Sequence, residues 1–346
     1  MNSVSSLGIW ISENESLLSG AVAILVMVSV FISVVGYLAR RLSADRPEIG
    51  KSAEVVENLE SADDSVITIK KLSAPSPYPV KFAVSDGLRI AFNEHGSGPN
   101  DVIVTPGIVS HLNLSSHLPA LRDTFGAIAG FARVVCFDKR GQGLSDPTPR
   151  VPDLDERVHD IEAVMDGAGI DKAVLFGISE GGSMAIKFAH DHPERVRGLI
   201  LLGTTASWLQ RDDFPMGISG QALDSLVRHW GDGRMRDIFF PSISREIMDE
   251  KTYQAFERLI ATRESIKQIV EFMKQVDVRP LLPGIVCPTL VLHFGGDLAV
   301  PIRLGRAVAD AIPDAEFMEV NAVDHADLSN SPEAIARIRE FLSGLS

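Results

Sequence analysis

Hydrophobicity along the chain falls into two regimes. From Leu17 to Leu38 there are 22 residues without a charge, rich in Val, Ile and Leu. At about 1.5 Å of rise per residue such a helix spans roughly 33 Å, enough to cross the hydrocarbon layer of a bilayer. A core helix is seldom so long and apolar on every face. A cleaved signal peptide would want basic residues first and small residues before the cut. Residues 1–16 instead hold Glu13 and Glu15 with no Lys or Arg, and a cut after Ala39 would place bulky Tyr37 where a small residue belongs. The pattern predicts an uncleaved transmembrane helix at 17–38, preceded by a short tail at 1–16. Arg40, Arg41 and Arg46 follow the span, so the positive-inside tendency puts the N-terminus outside and the remainder in the cytoplasm. Residues 39–79 read as a linker ending in Pro75-Ser76-Pro77-Tyr78-Pro79, a run that no regular helix or central strand accepts.

From residue 80 the pattern changes to short apolar runs alternating with helical stretches. Strands are expected at 80–84, 88–93, 101–105, 133–137, 172–176, 198–202, 288–293 and 316–320, and helices near 118–130, 154–167, 181–191, 302–311 and 332–343. The later strands are continuously apolar and β-branched, as strands covered on both faces are. Such alternation predicts an α/β domain over 80–346 with a mostly parallel, eight-stranded sheet wrapped by helices. The regularity breaks across roughly 204–286, which is helical in tone and carries Trp208 and Trp230. An insertion there is expected to form a lid over the sheet's C-terminal edge, where α/β folds place their sites.

Charge and cysteine content narrow the field. A net charge of −13 argues against a nucleic-acid partner, which needs clustered Lys and Arg. Two cysteines far apart, Cys136 and Cys287, fit reduced thiols better than a disulfide scaffold. No cluster has metal-ligand spacing, so neither a metal nor another cofactor is expected, and His190-Asp191-His192 reads as a helix end.

The candidate chemistry begins at Gly177-Ile178-Ser179-Glu180-Gly181, a G-x-S-x-G run between a predicted strand and a predicted helix. That is the context of a nucleophile elbow, in which the flanking glycines Gly177 and Gly181 let the serine occupy a strained turn. The plainer reading is a Gly-rich turn whose serine caps a helix. A hydroxyl is a weak nucleophile and needs a base held in place by an acid, found in the chain order nucleophile, acid, histidine. Of the nine histidines only His325 lies beyond the last predicted strand. Asp297 follows the strand at 288–293; alone it would read as a turn aspartate. Asp324 is the rival acid, but its adjacency to His325 places it poorly. The tetrahedral intermediate requires two donors, expected from the backbone N–H groups of Glu180 and of Ile108, in the Pro106-Gly107-Ile108 turn. The Glu180 side chain is expected to point away from that site. His111 is a candidate for lining the pocket, with surface or core placement as its alternatives. The loop Phe137 to Asp146 (FDKRGQGLSD) lacks the spacing of a phosphate-binding motif, and reads as structural, tying the loop beneath the elbow through Asp138 and Arg140.

Together, TPGIVSHLNL, FDKRGQGLSD, GISEGG, HPERVRGLILLGT, PTLVLHFGGDLAVP and the terminal Asp324-His325 resemble the α/β-hydrolase superfamily over residues 80–346. With the later HWGDG, the pattern is similar to a subfamily whose members often occur joined to adenylate or guanylate cyclase domains; an apolar anchor stands here in place of such a fusion. The resemblance implies a serine hydrolase acting on a carboxylic ester or similar acyl bond, possessing Ser179, Asp297 and His325 as its triad. It weighs against the relatives with an aspartate at the elbow, and against prolyl aminopeptidase relatives, which usually carry a Trp there. A small-molecule, amphiphilic ester is the expected substrate class. A ligand-sensing module with little turnover and an acyl-transfer or peroxidase-like use of the same residues stay open as alternatives. The sequence assigns no oligomeric state.

Overall fold

Short apolar runs bounded by turn residues become eight strands: β1 (Lys81–Ser85), β2 (Leu88–His95), β3 (Asp101–Thr105), β4 (Arg133–Phe137), β5 (Ala173–Ile178), β6 (Val196–Leu202), β7 (Thr289–Phe294) and β8 (Glu316–Val320). They form one sheet in the order β1-β2-β4-β3-β5-β6-β7-β8. β1 and β2 pair antiparallel, as do β2 and β4, and every later pairing is parallel. The structure is a computed structural model and describes residues 76–345. The expected span at 17–38 lies outside them, as does the linker up to residue 75. Among the described residues no helix is long and apolar enough to cross a membrane.

Burial follows from position in the sheet. Every residue of β5 and of β7 is buried, because helices cover both faces of the central strands. Edge strand β1 alternates, leaving Phe82 and Val84 exposed. The helices are α1 (Leu112–Ser115), α2 (Pro119–Ala129), α3 (Leu154–Gly167), α4 (Gly181–Asp191), α5 (Gly220–His229), α6 (Arg236–Phe239), α7 (Glu250–Ile260), α8 (Arg263–Gln275), α9 (Ile302–Ala311) and α10 (Pro332–Gly344). The start of α3 is set by a capping box, in which Asp153 accepts from the Glu156 N–H and Glu156 accepts from the Asp153 N–H. The single turn α1 had no periodic signal, being too short to show one.

Helices α5 to α8 form the insertion between β6 and β7. The HWGDG run is its brace. The Trp230 indole N–H donates to the carbonyls of Glu257 and Ala261 (3.1 and 2.9 Å). One oxygen of the buried Glu257 carboxylate accepts the N–H groups of Gly231 and Gly233 (3.0 and 2.9 Å), both glycines at positive φ. The motif therefore serves to close a turn on α7.

The FDKRGQGLSD loop is tied through both of the residues expected to hold it. Asp138 accepts the Leu112 and Leu144 N–H groups, so it shapes its own loop and α1. Arg140 forks onto buried Asp160 at 2.7 and 2.9 Å and reaches Ser85. Both residues tie the loop, while the contact with the elbow itself is made by the residue between them, Lys139.

Burial pushes the Glu257 carboxyl up to about 7, from an ordinary 4.5, against the pull of its two N–H donors. The folded chain thus holds that proton more tightly than the unfolded chain. Its contribution to stability is present below 4.5 and is lost as pH rises through 7. Glu257→Gln is expected to remove this loss, so that its Tm gains on wild type between about pH 5 and about pH 8. Thermal melts at the two pH values check this, and a pH-independent gap would contradict it.

Candidate active site

Four strands deliver the candidate residues to one edge of the sheet. Ser179 follows β5, Asp297 follows β7, His325 follows β8, and the Pro106-Gly107-Ile108 turn follows β3. All point of attachment is at the strands' C-terminal ends, the edge at which parallel sheets build sites.

Ser179 is a non-glycine residue with φ of 52°, in the left-handed region. It persists there because its neighbours leave no alternative. A Cβ on Gly181 would come within 2.2 Å of the Thr105 carbonyl oxygen, and one on Gly177 within 2.8 Å of Gly182 Cα. Strand, elbow and helix approach more closely than any side chain permits. The Thr204 hydroxyl donates to the Ser179 carbonyl at 2.6 Å and fixes the turn from the far side. Thr204 had no sequence signal, since it lies in the first residues of a segment read as lid.

Asp297 sits in a tight turn where one carboxylate oxygen accepts the N–H groups of Ala299 and Val300 (2.8 and 2.9 Å). The other is 2.7 Å from His325 Nδ1. Because a carboxylate only accepts, Nδ1 carries the proton and the lone pair falls on Nε2. That nitrogen is buried and has no hydrogen-bond partner among the described residues. His293, buried behind the pair, donates from Nε2 to the Val300 carbonyl at 2.7 Å and holds the Asp297 turn; desolvation lowers its pKa and keeps it neutral. Asp324 is occupied elsewhere, accepting the Ser242 N–H at 3.0 Å and its hydroxyl. The insertion contributes directly: the His325 N–H donates to the Phe239 carbonyl at 2.8 Å, and the two rings lie 5.5 Å apart.

Gly107 brings the oxyanion turn against the serine, a Cβ there lying 3.9 Å from Ser179 Oγ. The N–H groups of Ile108 and Glu180 donate to no acceptor among the described residues. The Glu180 side chain turns away from the serine into the protein, where it meets Lys139 and Arg157, all three buried. Lys139 and Arg157 escaped the sequence reading. The available signal was Arg157 standing on the same face of α3 as buried Ile161 and Val164, a charge on an apolar stripe.

Two cavities meet at Ser179, His325, Ile108 and Phe239. The first, about 160 Å³, runs beneath α1 and α2 between apolar and aromatic side chains, including Leu118, Leu121, Phe125, Phe240 and Phe256. His111 lines it and also caps α1, accepting the Leu114 N–H at 3.5 Å, and burial lowers its pKa. The second, about 470 Å³, carries Gln210, Ser219, Ser225 and Arg303 among its walls.

A mostly parallel eight-stranded sheet with a serine on a strained strand-to-helix turn, facing a histidine–carboxylate pair, defines an α/β-hydrolase. The profile of the serine aminopeptidase S33 family matches residues 100–329, and the chain belongs to that family. It is 30% identical over 246 residues to a 2-hydroxy-6-oxononadienedioate/2-hydroxy-6-oxononatrienedioate hydrolase of Paraburkholderia phymatum, covering 66% of this chain and 82% of that one. Among solved structures it is similar to an esterase from Exiguobacterium antarcticum (TM-score 0.66, 22% identity, 76% of this chain and 99% of that one). A membrane phospholipase A matches with TM-score 0.62 and 19% identity over 92% of this chain and 98% of that one. The chain is a hydrolase.

Gly203, at φ of 56°, packs against the histidine: a Cβ there would lie 2.9 Å from the His325 carbonyl oxygen and 3.2 Å from the ring. Gly203→Ala is expected to displace the imidazole and lower kcat roughly 10- to 100-fold, with a loss of stability of about 1–2 kcal/mol from the left-handed backbone. Turnover and urea unfolding of the variant check both.

Proposed function

We propose that the chain is a serine hydrolase that cleaves a carboxylic ester through an acyl-serine intermediate. The observation that carries this is the His325 imidazole. Its Nδ1 is bound by Asp297 at 2.7 Å, and its other nitrogen, which carries the lone pair, is buried and without a partner among the described residues, beside a cavity that Ser179 also lines. In the reaction Nε2 takes the Ser179 proton as Oγ attacks the acyl carbon. The Ile108 and Glu180 N–H groups hold the oxyanion. Nε2 then returns the proton to the departing alcohol and activates the water that releases the acid.

The cavity walls support an amphiphilic substrate. An apolar acyl group matches the first cavity, and a leaving group that can hydrogen-bond matches the second. The dioate of the Paraburkholderia relative would bring two carboxylates, whereas the only guanidinium lining the first cavity among the described residues, Arg122, is bound to Asp123. An ester with an apolar acyl chain fits that wall better. An anchor at residues 17–38, with the catalytic domain on the cytoplasmic side, would hold the enzyme where such esters collect.

Ser179→Ala is expected to lower kcat on p-nitrophenyl esters by about 10⁴-fold or more and to abolish labelling by a fluorophosphonate probe. Wild-type turnover in that variant would end the proposal, and an unlabelled wild-type enzyme would favour a ligand-sensing module instead.

A further inference from the structure

Beneath the elbow lies a charge cluster that the mechanism above does not use. The side chains of Lys139, Glu180 and Arg157 are 1%, 1% and 2% exposed. Lys139 Nζ donates to one Glu180 carboxylate oxygen at 2.6 Å, and Arg157 donates to the other. The same ammonium donates to the Gly107 carbonyl at 2.6 Å and lies 3.4 Å from that of Ile108. Arg157 is in turn held by the Pro152 carbonyl and lies 4.0 Å over the Phe272 ring of α8. Such a buried cluster seldom adds stability over apolar packing, because three charges lose their water. Stability alone therefore does not account for it.

The geometry relates it to the reaction. Within one planar trans peptide, the Gly107 carbonyl and the Ile108 N–H point in opposite directions. An ammonium gripping the carbonyl therefore aims that N–H away from itself, toward the serine side. The second donor, the Glu180 N–H, belongs to the residue whose carboxylate the same ammonium grips. One side chain thus fixes both oxyanion donors. The cluster also holds two cations against one anion, so its net charge of +1 sits behind the donors in a low-dielectric setting that favours a developing negative charge.

We propose that Lys139 is a positioning residue for the oxyanion hole, acting through the Gly107–Ile108 peptide and the Glu180 carboxylate, a role that rests on the acyl-serine reading. The charged groups facing the ammonium are Glu180 and Arg157. Burial, with Arg157 adding to it and Glu180 opposing, brings Lys139 down to about 8. The ammonium thus loses its proton as pH rises through that value, and the hole loses its anchor. An alkaline fall in kcat follows.

The test uses the full chain and a p-nitrophenyl ester, with Lys139→Met, Lys139→Arg and the double variant Lys139→Met/Glu180→Gln. Lys139→Met is expected to lower kcat about 10- to 100-fold, less than outright loss of a donor, while KM stays within about threefold. Its residual activity has no alkaline fall near 8. Lys139→Arg keeps a permanent cation, so it restores part of kcat and moves the alkaline fall beyond about pH 10. In Lys139→Met the Glu180 carboxylate keeps Arg157 as its partner, so the variant is expected to fold; the double variant leaves that guanidinium without an anion and is expected to melt below wild type with kcat still low. Lys139→Arg carries the test where either fails to fold, since an alkaline fall left near 8 in that variant also overturns the proposal. A folded Lys139→Met with wild-type kcat, or a double variant that regains it, overturns the proposal. Ser179→Ala, assayed beside them, separates the two failures: if it stays active, the acyl-serine reading falls and this role with it. If it is dead while Lys139→Met is unaffected, only the positioning role falls.

Discussion

The site depends on how little room separates strand β5, helix α4 and the turn after β3. Ser179 holds a left-handed conformation that costs a non-glycine residue about 1–2 kcal/mol, and the surrounding contacts must exceed that for the turn to persist. They do so through proximity: the Thr105 carbonyl oxygen would sit 2.2 Å from a Cβ on Gly181, so the polypeptide backbones themselves form the walls. This closeness is what brings the Gly107–Ile108 peptide beside the hydroxyl. Relaxing the turn would separate the Ser179 hydroxyl from the Ile108 N–H, because both are carried by the same contact.

Much of this was legible in the sequence because each feature has a local cause. The strands of the sheet lie where short apolar runs are bounded by turn residues, and α3, α4 and α9 span the stretches that their helical pattern indicates, α3 starting at a capping box. Ser179, Asp297 and His325 could be ordered along the chain because each follows a strand, and parallel strands bring their C-terminal ends to one edge. What escaped were residues whose meaning lies in distant partners. Lys139 and Arg140 are neighbours in sequence with opposite destinations, one beneath the elbow and one onto Asp160, and their partners, Glu180 and Asp160, are too distant in sequence to be read locally. Thr204 and Gly203 were hidden in the same way: one grips the elbow and the other faces the imidazole, across strands far apart in sequence.

The charge balance of the site is divided between its two sides. On the cavity side, Asp297 holds the imidazole in the tautomer that leaves the lone pair on Nε2, and its own turn is fixed by two main-chain donors. Behind the serine, the Glu180 carboxylate, whose charge alone would oppose an oxyanion, is outnumbered by Lys139 and Arg157. The cavities differ in polarity as well, the first walled mainly by aromatic and aliphatic side chains and the second carrying a larger share of hydrogen-bonding groups.

The bond from the His325 N–H to the Phe239 carbonyl, with the pair Asp324 and Ser242 beside it, stitches the insertion to the loop that carries the imidazole. A hinged door over the site would have to cut those stitches each time it swung, and the imidazole would lose its backing at the moment of entry. Traffic of substrate and product is thereby restricted to the parts of the insertion away from residues 239–242, and the portion nearest the chemistry behaves as a fixed wall.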